Sequence, residues 1–192
     1  MIQLVNLRRS FKDKIVFDGF SNTFDDHGFY ILKGDNGCGK TTLLYFLALL
    51  DDGFRGKYLF DGVDLNSSPF KEREKFRSEN ISLLLPRGNL LDFLDVGENR
   101  NLLVKDKALD FDHLEDTRSV FGLSGGEEIL LSLSNEVSKK KKLYLLDEVT
   151  SSLSDDHVRE VLDILMDLSK GSLVILASHD VRVLPYGKIV NL

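Results

Sequence analysis

The stretch GDNGCGKTT, residues 34–42, matches the phosphate-binding pattern G-x-x-x-x-G-K-[ST]. An apolar, β-prone run, FYIL at 29–32, comes directly before it, and an apolar run compatible with a helix follows to residue 50. A strand, a glycine-rich turn and a helix are therefore predicted, which is the setting that such a phosphate-binding loop requires. A turn that only joins a strand to a helix is the alternative, and the complete spacing argues against it.

The residue types of this stretch suit the binding of a triphosphate. Gly37 and Gly39 lack a Cβ atom, so the backbone can curl around a phosphate, and the helix that follows presents its positive end to the same anion. Lys40 is expected to reach the β and γ phosphates, and the Thr41 hydroxyl to hold Mg²⁺. The predicted nucleotide-binding residues of the stretch are Gly34, Asn36, Gly37, Cys38, Gly39, Lys40, Thr41 and Thr42.

Composition indicates an ordinary soluble globular protein. The 192 residues are 42% hydrophobic and carry a net charge of −6, so a nucleic acid partner is not expected. Cys38 is the only cysteine, which excludes an internal disulfide and fits a reducing compartment. No apolar run approaches membrane-spanning length, and the first residues, MIQLVNLRRSF, do not resemble a signal peptide. We expect a cytoplasmic protein that does not itself insert into the membrane.

The first third of the chain is predicted to be rich in strands. Alternating apolar residues over 1–24, separated by turn residues, suggest antiparallel strands that lead into the phosphate-binding stretch. KYLFDGVDL at 57–65 carries an Asp-Gly signal for a β-hairpin. From about 66 to 122 the chain becomes more polar, and the pattern predicts a small, mostly helical insertion interrupted by a short strand at 81–85.

Strands and helices alternate in the last third. A compact apolar run at 143–146 is followed by a predicted helix at 155–169 and a predicted strand at 173–177. A hairpin through Pro185 and Gly187 is predicted to end the sequence. The alternation predicts an α/β fold with a mixed, largely parallel sheet behind the N-terminal antiparallel β region.

Two carboxylates follow the apolar run at 143–146. Because open α/β sheets bind ligands at the carboxyl ends of their strands, we expect Asp147 and Glu148 beside the phosphate-binding loop. Asp147 is predicted to hold hydrated Mg²⁺, and Glu148 to polarise an attacking water as a general base. The alternative is a polar loop start without a chemical role.

Four motifs together resemble those of ATP-binding cassette (ABC) ATPases. GDNGCGKTT corresponds to the Walker A loop, LSGGE at 123–127 to the family signature, and LLDEVTSSLS at 145–154 to the Walker B strand and D-loop. His179, between Ser178 and Asp180, follows an apolar strand as the family's switch histidine does. The resemblance extends over nearly the whole chain, and implies a P-loop NTPase core and a single domain over 1–192.

The resemblance also implies a nucleotide site that one chain cannot complete. In the family, two cassettes pair head to tail, so Ser124, Gly125 and Gly126 would present a hydroxyl, backbone amides and a helix N-terminus to the γ-phosphate bound on the partner. His179 would contact the γ-phosphate of the nucleotide bound by its own chain and order Glu148 with its water. ATP and Mg²⁺ are the implied cofactors, and a homodimer is the expected assembly. The implied catalytic residues are Lys40, Glu148 and His179.

The sequence gives weaker evidence of a functional role for Phe11 and for the three histidines other than His179. Phe11 occupies the family's position for the aromatic residue that stacks on adenine, and apolar packing is an equal alternative. The remaining histidines have no comparable neighbours in the sequence and are interpreted as surface residues: His27, His113 and His157.

The chain departs from the family pattern at two loops. The position of the family's glutamine that touches Mg²⁺ aligns with Pro86, so either Asn89 or a water takes over its role, or the coupling to the transport partner is different. With a shift of one residue, Asp155 would substitute for the usual aspartate of the D-loop. In the D-loop, the usual Pro, Ala and Asp are replaced by Val149, Ser152 and Ser154. We expect secure ATP binding and slow hydrolysis.

The leading functional hypothesis is the nucleotide-binding subunit of an ABC transporter. It would hydrolyse ATP to drive export of a small molecule or peptide through a separate transmembrane subunit, which would hold it at the inner face of the membrane. The docking surface is expected within 90–103, where Leu90, Leu91, Phe93 and Leu94 form an apolar cluster. The core of the insertion is the alternative role for these side chains.

Two other functional classes compete with a transporter subunit. A soluble ABC ATPase that acts on a protein assembly, such as an iron–sulfur scaffold, would fit the unusual loop at Pro86. A nucleotide-gated regulatory module with little turnover would fit the altered D-loop, although Glu148 and His179 argue against it.

Overall fold

Nine strands form two sheets in the computed structural model, which describes residues 1–12, 14–86, 89–103 and 115–192. The strands are β1 (Ile2–Phe11), β2 (Lys14–Phe24), β3 (Gly28–Lys33), β4 (Arg55–Phe60), β5 (Val63–Asp64), β6 (Ile81–Leu84), β7 (Leu143–Asp147), β8 (Leu173–Ala177) and β9 (Lys188–Asn191). The α-helices of this part of the chain are α1 (Lys40–Leu47), α2 (Phe70–Asn80), α3 (Val96–Leu103), α4 (Gly125–Val137) and α5 (Asp155–Leu168). None of these helices is long and apolar enough to cross a membrane.

The N-terminal sheet is antiparallel, as predicted, with the strand order β2-β1-β4-β5. Ile2 of β1 pairs with Phe24 of β2 on one side and with Phe60 of β4 on the other. The turn between β4 and β5 uses Asp61 and Gly62, whose φ angles are 50° and 82°. Positive φ at both central residues is typical of the tight hairpin that an Asp-Gly pair favours, and the predicted hairpin is confirmed.

The second sheet is parallel throughout, with the strand order β6-β7-β8-β3-β9. Leu143 and Leu145 of β7 face one hydrophobic core, whereas Tyr144 and Leu146 face a second. Helix α1 lies in the first core, between the two sheets, and α4 and α5 cover the opposite face. A parallel sheet buried on both faces is the expected α/β arrangement, and the predicted fold class is confirmed.

The predicted C-terminal hairpin is wrong. β9 pairs in parallel with β3, so β3 lies between β8 and β9. A 3₁₀ turn at Leu184–Tyr186 brings the chain back to the end of the sheet at which β8 begins. A Cβ atom on Gly187 would lie only 2.9 Å from the side chain of Ile31 and 3.1 Å from the carbonyl oxygen of Phe29, so the chain passes close to β3.

The segment predicted as a helical insertion, 66–122, contains one strand of the main sheet. Helix α2 precedes β6, which pairs with β7. After β6 come α3, a 3₁₀ turn at Val120–Gly122, and α4. His113 lies outside the described residues. Among the described residues of this segment, β6 therefore belongs to the main parallel sheet.

Candidate functional site

An open cleft of about 340 Å³ lies at the carboxyl end of β3, where the chain turns into α1. Eight of the residues singled out in the sequence line it: Phe11, Asn36, Gly37, Gly39, Lys40, Thr41, Thr42 and Glu148. Lys14 and Val16 of β2 complete the lining. The antiparallel sheet thus forms one wall of the cleft and the phosphate-binding loop forms another.

The loop backbone depends on two glycines. Gly37 and Gly39 have φ angles of 77° and 113°, in a region that residues with a Cβ atom rarely adopt. A Cβ atom on Gly39 would also lie 2.5 Å from Cγ1 of Val16 and 2.9 Å from the ring of Phe17. Gly39 is required for the backbone conformation and for the close approach of β2, and it is the residue from which α1 begins.

Lys40 is held inside the loop. Its side chain donates to the carbonyl oxygens of Gly34 at 2.7 Å and Asp35 at 3.2 Å, and the residue is only 7% exposed. These carbonyls fix the ammonium group beside the loop amides. Lys40 thereby supplies a buried positive charge to the cleft, as a triphosphate site requires.

Cys38 does not line the cleft. The thiol packs against Gly34, where a Cβ atom would lie 2.6 Å from Sγ. Gly34 and Cys38 therefore pack against each other on the side of the loop away from the cleft. Their backbone, not the Cys38 side chain, would contact the nucleotide.

The two predicted Mg²⁺ ligands contact each other. The Thr41 hydroxyl donates to Oδ2 of Asp147 at 2.8 Å, and the other oxygen, Oδ1, is buried with no hydrogen-bond partner among the described residues. Burial raises the pKa of Asp147, and the neighbouring Glu148 carboxylate raises it further. A hydroxyl beside a buried carboxylate that needs a cation fits Mg²⁺, which prefers oxygen ligands and completes its shell with water and phosphate.

Glu148 and His179 lie side by side at the edge of the cleft. Nδ1 of His179 is 3.0 Å from Oε1 of Glu148, and Oε2 of Glu148 is buried without a partner in the described part of the chain. Glu148 has a φ angle of 51°, and its amide donates to the carbonyl oxygen of Ala177 at 2.9 Å. Left-handed backbone at a residue other than glycine is strained, and such strain clusters at functional sites.

Phe11 reaches the mouth of the cleft from the end of β1. Its ring is 46% exposed, and the guanidinium carbon of Arg9 lies 4.0 Å from the ring centroid. Arg9 is held in turn by Asp51 at 3.0 Å. An exposed ring that is stacked on one side suits the predicted role in binding adenine better than a core role.

Sequence reasoning missed Lys14 and Val16. Lys14 donates to the carbonyl oxygen of Gly37 at 2.9 Å, and Val16 packs on Gly39. Both belong to β2, and their spacing of two residues places them on one face of that strand. The only signal in the sequence is this alternation just after Phe11, which does not show which face turns toward the loop.

The signature residues begin α4 and lie outside the cleft lining. The Ser124 hydroxyl caps the helix by accepting a hydrogen bond from the amide of Glu127 at 3.3 Å. In return, the Glu127 carboxylate accepts a hydrogen bond from the amide of Ser124 at 2.6 Å. Ser124 and Gly125 are exposed, whereas Gly126 is buried. Within the described part of one chain, the exposed helix start and the phosphate-binding loop therefore do not form a common pocket.

Neither Pro86 nor Asn89 lines the cleft among the residues described. Pro86 is exposed. The Asn89 side chain donates to the carbonyl oxygen of Leu83 at 2.7 Å, and its backbone amide donates to the Ser132 hydroxyl at 3.1 Å. Asn89 is tied to β6 and α4, so the structure gives no support to the idea that it replaces the missing glutamine.

Two of the remaining histidines are described. His27 is exposed, as expected. His157 is half-buried, and its Nδ1 atom lies 2.9 Å from the position that a Cβ atom on Gly126 would occupy. His157 is therefore only partly at the surface, because one side of its ring packs against the start of α4.

Comparison with known proteins gives a consistent result. A family model described as ABC transporter matches residues 17–151. The lipoprotein-releasing system ATP-binding protein LolD of Syntrophus aciditrophicus is 31% identical over 201 residues, which cover 94% of this chain and 90% of that protein. The macrolide export ATP-binding/permease protein MacB of Rhodopirellula baltica is 29% identical over 211 residues, which cover 95% of this chain and 30% of that protein.

A solved structure shares the fold. It is a dimeric ATP-binding cassette in a post-hydrolysis state, bound to ADP and Pi. The match has a TM-score of 0.84 at 21% identity and covers 100% of this chain and 94% of that one. Because the family model spans residues 17–151 of 192, the chain belongs to the ABC transporter family and is one of its ATP-binding, ATP-hydrolysing cassettes.

Proposed function

We propose that this cassette works as a head-to-tail homodimer and that its ATP hydrolysis drives export through a separate transmembrane protein. The observation that carries the proposal is the contact between Glu148 and His179, 3.0 Å apart at the edge of a cleft lined by the phosphate-binding loop. A carboxylate and an imidazole placed in this way can hold a water for attack on a phosphate.

Each side chain has a part in the proposed reaction. Phe11 offers its ring to adenine, and the amides of 36–41 together with Lys40 bind the phosphates. Glu148 accepts a proton from the attacking water, and His179 orients Glu148 through Nδ1 while Nε2 stays available to the γ-phosphate. Because both partners are hydrogen-bond acceptors, a ring that donates from Nδ1 to Glu148 and from Nε2 to the γ-phosphate at the same time carries a proton on both nitrogens.

Mg²⁺ belongs to this proposal because Thr41 and Asp147 fit it. The ion supplies neutralisation of charge on the phosphate oxygens. Asp147 offers Oδ1, which is buried and without a partner among the described residues, and Thr41 offers its hydroxyl oxygen. Thr41 follows Lys40 in the sequence and Asp147 interacts electrostatically with Lys40, so the two groups that would hold the ion and the cation that would meet the triphosphate are gathered at the start of α1.

The proposal of a homodimer is based on the exposed start of α4. Ser124 and Gly125 present a capped helix N-terminus to solvent, outside the cleft lining of their own chain. A helix N-terminus attracts anions, and in a head-to-tail pair this one would face the γ-phosphate of the second copy.

Gly125 allows a sharp test of the dimer. A Cβ atom on Gly125 meets nothing within 4 Å, and the same is true of Gly171, after α5. Glu148→Gln protein should form a dimer on addition of ATP, measured by sedimentation. Gly125→Asp in that background should bind ATP as a monomer, whereas the matched Gly171→Asp should dimerise normally. ATP-induced dimerisation of the Gly125→Asp variant would contradict the shared site.

The proposed surface for the membrane partner is at 91–93. Leu91 is 42% exposed and Phe93 is 80% exposed, whereas Leu90 packs against the second core. The apolar cluster is thus divided between the core and the surface. The partner would hold the cassette at the inner face of the membrane, and export is supported by what the names of LolD and MacB say of those proteins.

Co-purification from native membranes tests this surface. Tagged wild-type protein should retain a protein with several membrane spans, and Phe93→Ser should lose it without a change in ATP binding. Val63→Ser is the matched control, because Val63 is an exposed apolar residue of the antiparallel sheet. If wild type, Phe93→Ser and Val63→Ser all retained a soluble protein assembly equally, the result would favour a soluble ABC ATPase that acts on such an assembly.

A further inference from the structure

Arg182 lies three residues after His179, in the segment that follows β8, and its guanidinium group contacts two loops. On one side it binds Asp180 through both carboxylate oxygens. Nε donates to Oδ1 at 2.9 Å and to Oδ2 at 3.1 Å, and Nη2 donates to Oδ2 at 2.8 Å. Asp180 is 9% exposed, so this ion pair is largely shielded from solvent on the side of the aspartate.

The other side of the guanidinium contacts the D-loop and the start of α5. Nη1 donates to the carbonyl oxygen of Leu153 at 3.1 Å and to Oδ1 of Asp155 at 2.7 Å. Nη2 also donates to the carbonyl oxygen of Thr150 at 3.1 Å. One side chain thus bonds to four residues of two separate chain segments.

These two segments carry the Glu148 and His179 pair. Thr150 follows Glu148 by two residues, and Asp180 follows His179 directly. The guanidinium therefore connects the loop that leaves β7 to the loop that leaves β8, within two residues of Glu148 and one residue of His179, whose side chains are 3.0 Å apart. A change in the separation of these loops would change that distance.

We propose that Arg182 is a positioning residue, which holds the D-loop, 150–154, against the His179 segment and so keeps Glu148 and His179 in the geometry for hydrolysis. The inference rests on the roles proposed above for Glu148 and His179. It also assigns a role to Asp155: its carboxylate holds Arg182 within the same chain.

Arginine is suited to this position in a way that lysine is not. Its planar fork donates in several fixed directions at once, whereas an ammonium group is a compact point charge. Burial raises the pKa of Asp180, but the hydrogen bonds from Arg182 outweigh this and hold the pKa below its ordinary value. Asp180 therefore stays ionised as the anchor of the fork.

The test separates turnover from nucleotide binding. Arg182→Met and Arg182→Lys should each lower kcat by about 10- to 100-fold, because displacement of catalytic groups by about 1 Å costs about that much. The Kd for a fluorescent ATP analogue should stay within about twofold, since Arg182 is not among the cleft-lining residues. Arg159→Met is the matched control, because Arg159 is an exposed α5 arginine whose side chain is 75% exposed.

A second measurement distinguishes positioning from a general effect on folding. In a His179→Ala background, Arg182→Met should cost little further kcat, because the pair that it positions is already broken. A full additional loss, or an unchanged kcat in the single Arg182→Met variant, overturns the inference. Should Arg182→Met fail to fold, Asp155→Asn is the second variant, because Asp155 is exposed. It weakens one of the contacts of Arg182, the ion pair with Asp155, and should give a smaller loss of kcat.

Failure of the proposed function gives a different pattern. If Glu148→Gln retained full turnover, the general-base assignment and the inference about Arg182 would both be wrong. If Glu148→Gln is inactive while Arg182→Met is fully active, the proposed function stands and only the inference about Arg182 fails.

Discussion

Nδ1 of His179 lies 3.0 Å from Oε1 of Glu148, and the two side chains differ sharply in exposure. The side chain of Glu148 is 20% exposed, whereas that of His179 is 60% exposed. The carboxylate is fixed at the end of a buried strand, and the imidazole approaches it from solvent. The exposed side of the His179 ring is therefore open to a phosphate while its Nδ1 atom stays beside Glu148.

Glu148→Gln should reduce turnover by about 10²–10⁴-fold, because a carboxamide cannot accept the proton of the attacking water. ATP binding should remain, since Lys40 and the loop amides are unchanged. Phosphate release and fluorescent nucleotide titration measure the two effects. Glu74→Gln, an exposed carboxylate of α2, is the control. Unchanged turnover in Glu148→Gln would contradict the general-base assignment.

Alkylation of Cys38 should block nucleotide binding. The thiol is half-buried and packs against the Gly34 backbone, where a Cβ atom would be only 2.6 Å from Sγ, so a bulky group added to the sulfur should displace the loop. ATP should slow the alkylation, as measured by mass spectrometry. Cys38→Ser protein should bind ATP and be insensitive to the reagent. Normal ATP binding by fully alkylated protein would refute this prediction.

Asp147→Asn should raise the melting temperature of the nucleotide-free protein while abolishing Mg²⁺-dependent turnover. Burial raises the pKa of Asp147, so its ionised form is disfavoured by folding at neutral pH, and a neutral amide removes that cost. Calorimetry with and without Mg²⁺ and ATP measures both effects. A lower melting temperature in the nucleotide-free variant would mean that the hydrogen bond from Thr41 outweighs the burial of charge.

Pro86→Gln should leave the rate of hydrolysis and its Mg²⁺ dependence unchanged within about twofold, as is usual for exposed positions away from a site. Pro86 is exposed and is not among the described residues that line the cleft. Steady-state assays across a Mg²⁺ titration measure both quantities. An altered Mg²⁺ dependence would show that this loop reaches the site during turnover.

Glu127 should make the capping of α4 sensitive to acid. The backbone amide of Ser124 donates to Glu127 at 2.6 Å and holds the pKa of Glu127 below its ordinary value. Its stabilising effect is therefore complete above the unfolded pKa and is lost as the pH falls through the lowered folded pKa. Wild type should lose more stability than Glu127→Gln over that fall in pH in urea titrations. Equal losses would mean that Glu127 does not contribute.

Local patterns in the sequence were sufficient for the site residues that lie close together along the chain. The phosphate-binding stretch at 34–42 and the signature start at Ser124 each adopt the predicted turn and helix, because glycine conformation and helix capping depend on near neighbours. The approach of Asp147 to Thr41 was also predicted, because parallel strands end at one edge of a sheet.

Contacts between distant segments were not predictable in the same way. The pairing of β9 with β3 depends on the path of the chain around the sheet, and the Pro-Gly signal favours a turn without specifying the partner strand. Similarly, Lys14 reaches Gly37 and Arg182 reaches Thr150 because separate elements pack together. A single sequence contains the side chains of such contacts but no signal for which pairs meet.

The hydrogen bond from Thr41 to Asp147, at 2.8 Å, holds two metal-binding groups in place before any ligand arrives. The hydroxyl donates its hydrogen and keeps its lone pairs, so a cation can bind this oxygen and Oδ1 of Asp147 without breaking the bond, but the nearby ammonium group of Lys40 repels a free ion. A metal that enters with a triphosphate also brings the charge that Lys40 and the loop amides attract. We therefore expect Mg²⁺ alone to bind weakly and to enter the cassette as a complex with ATP.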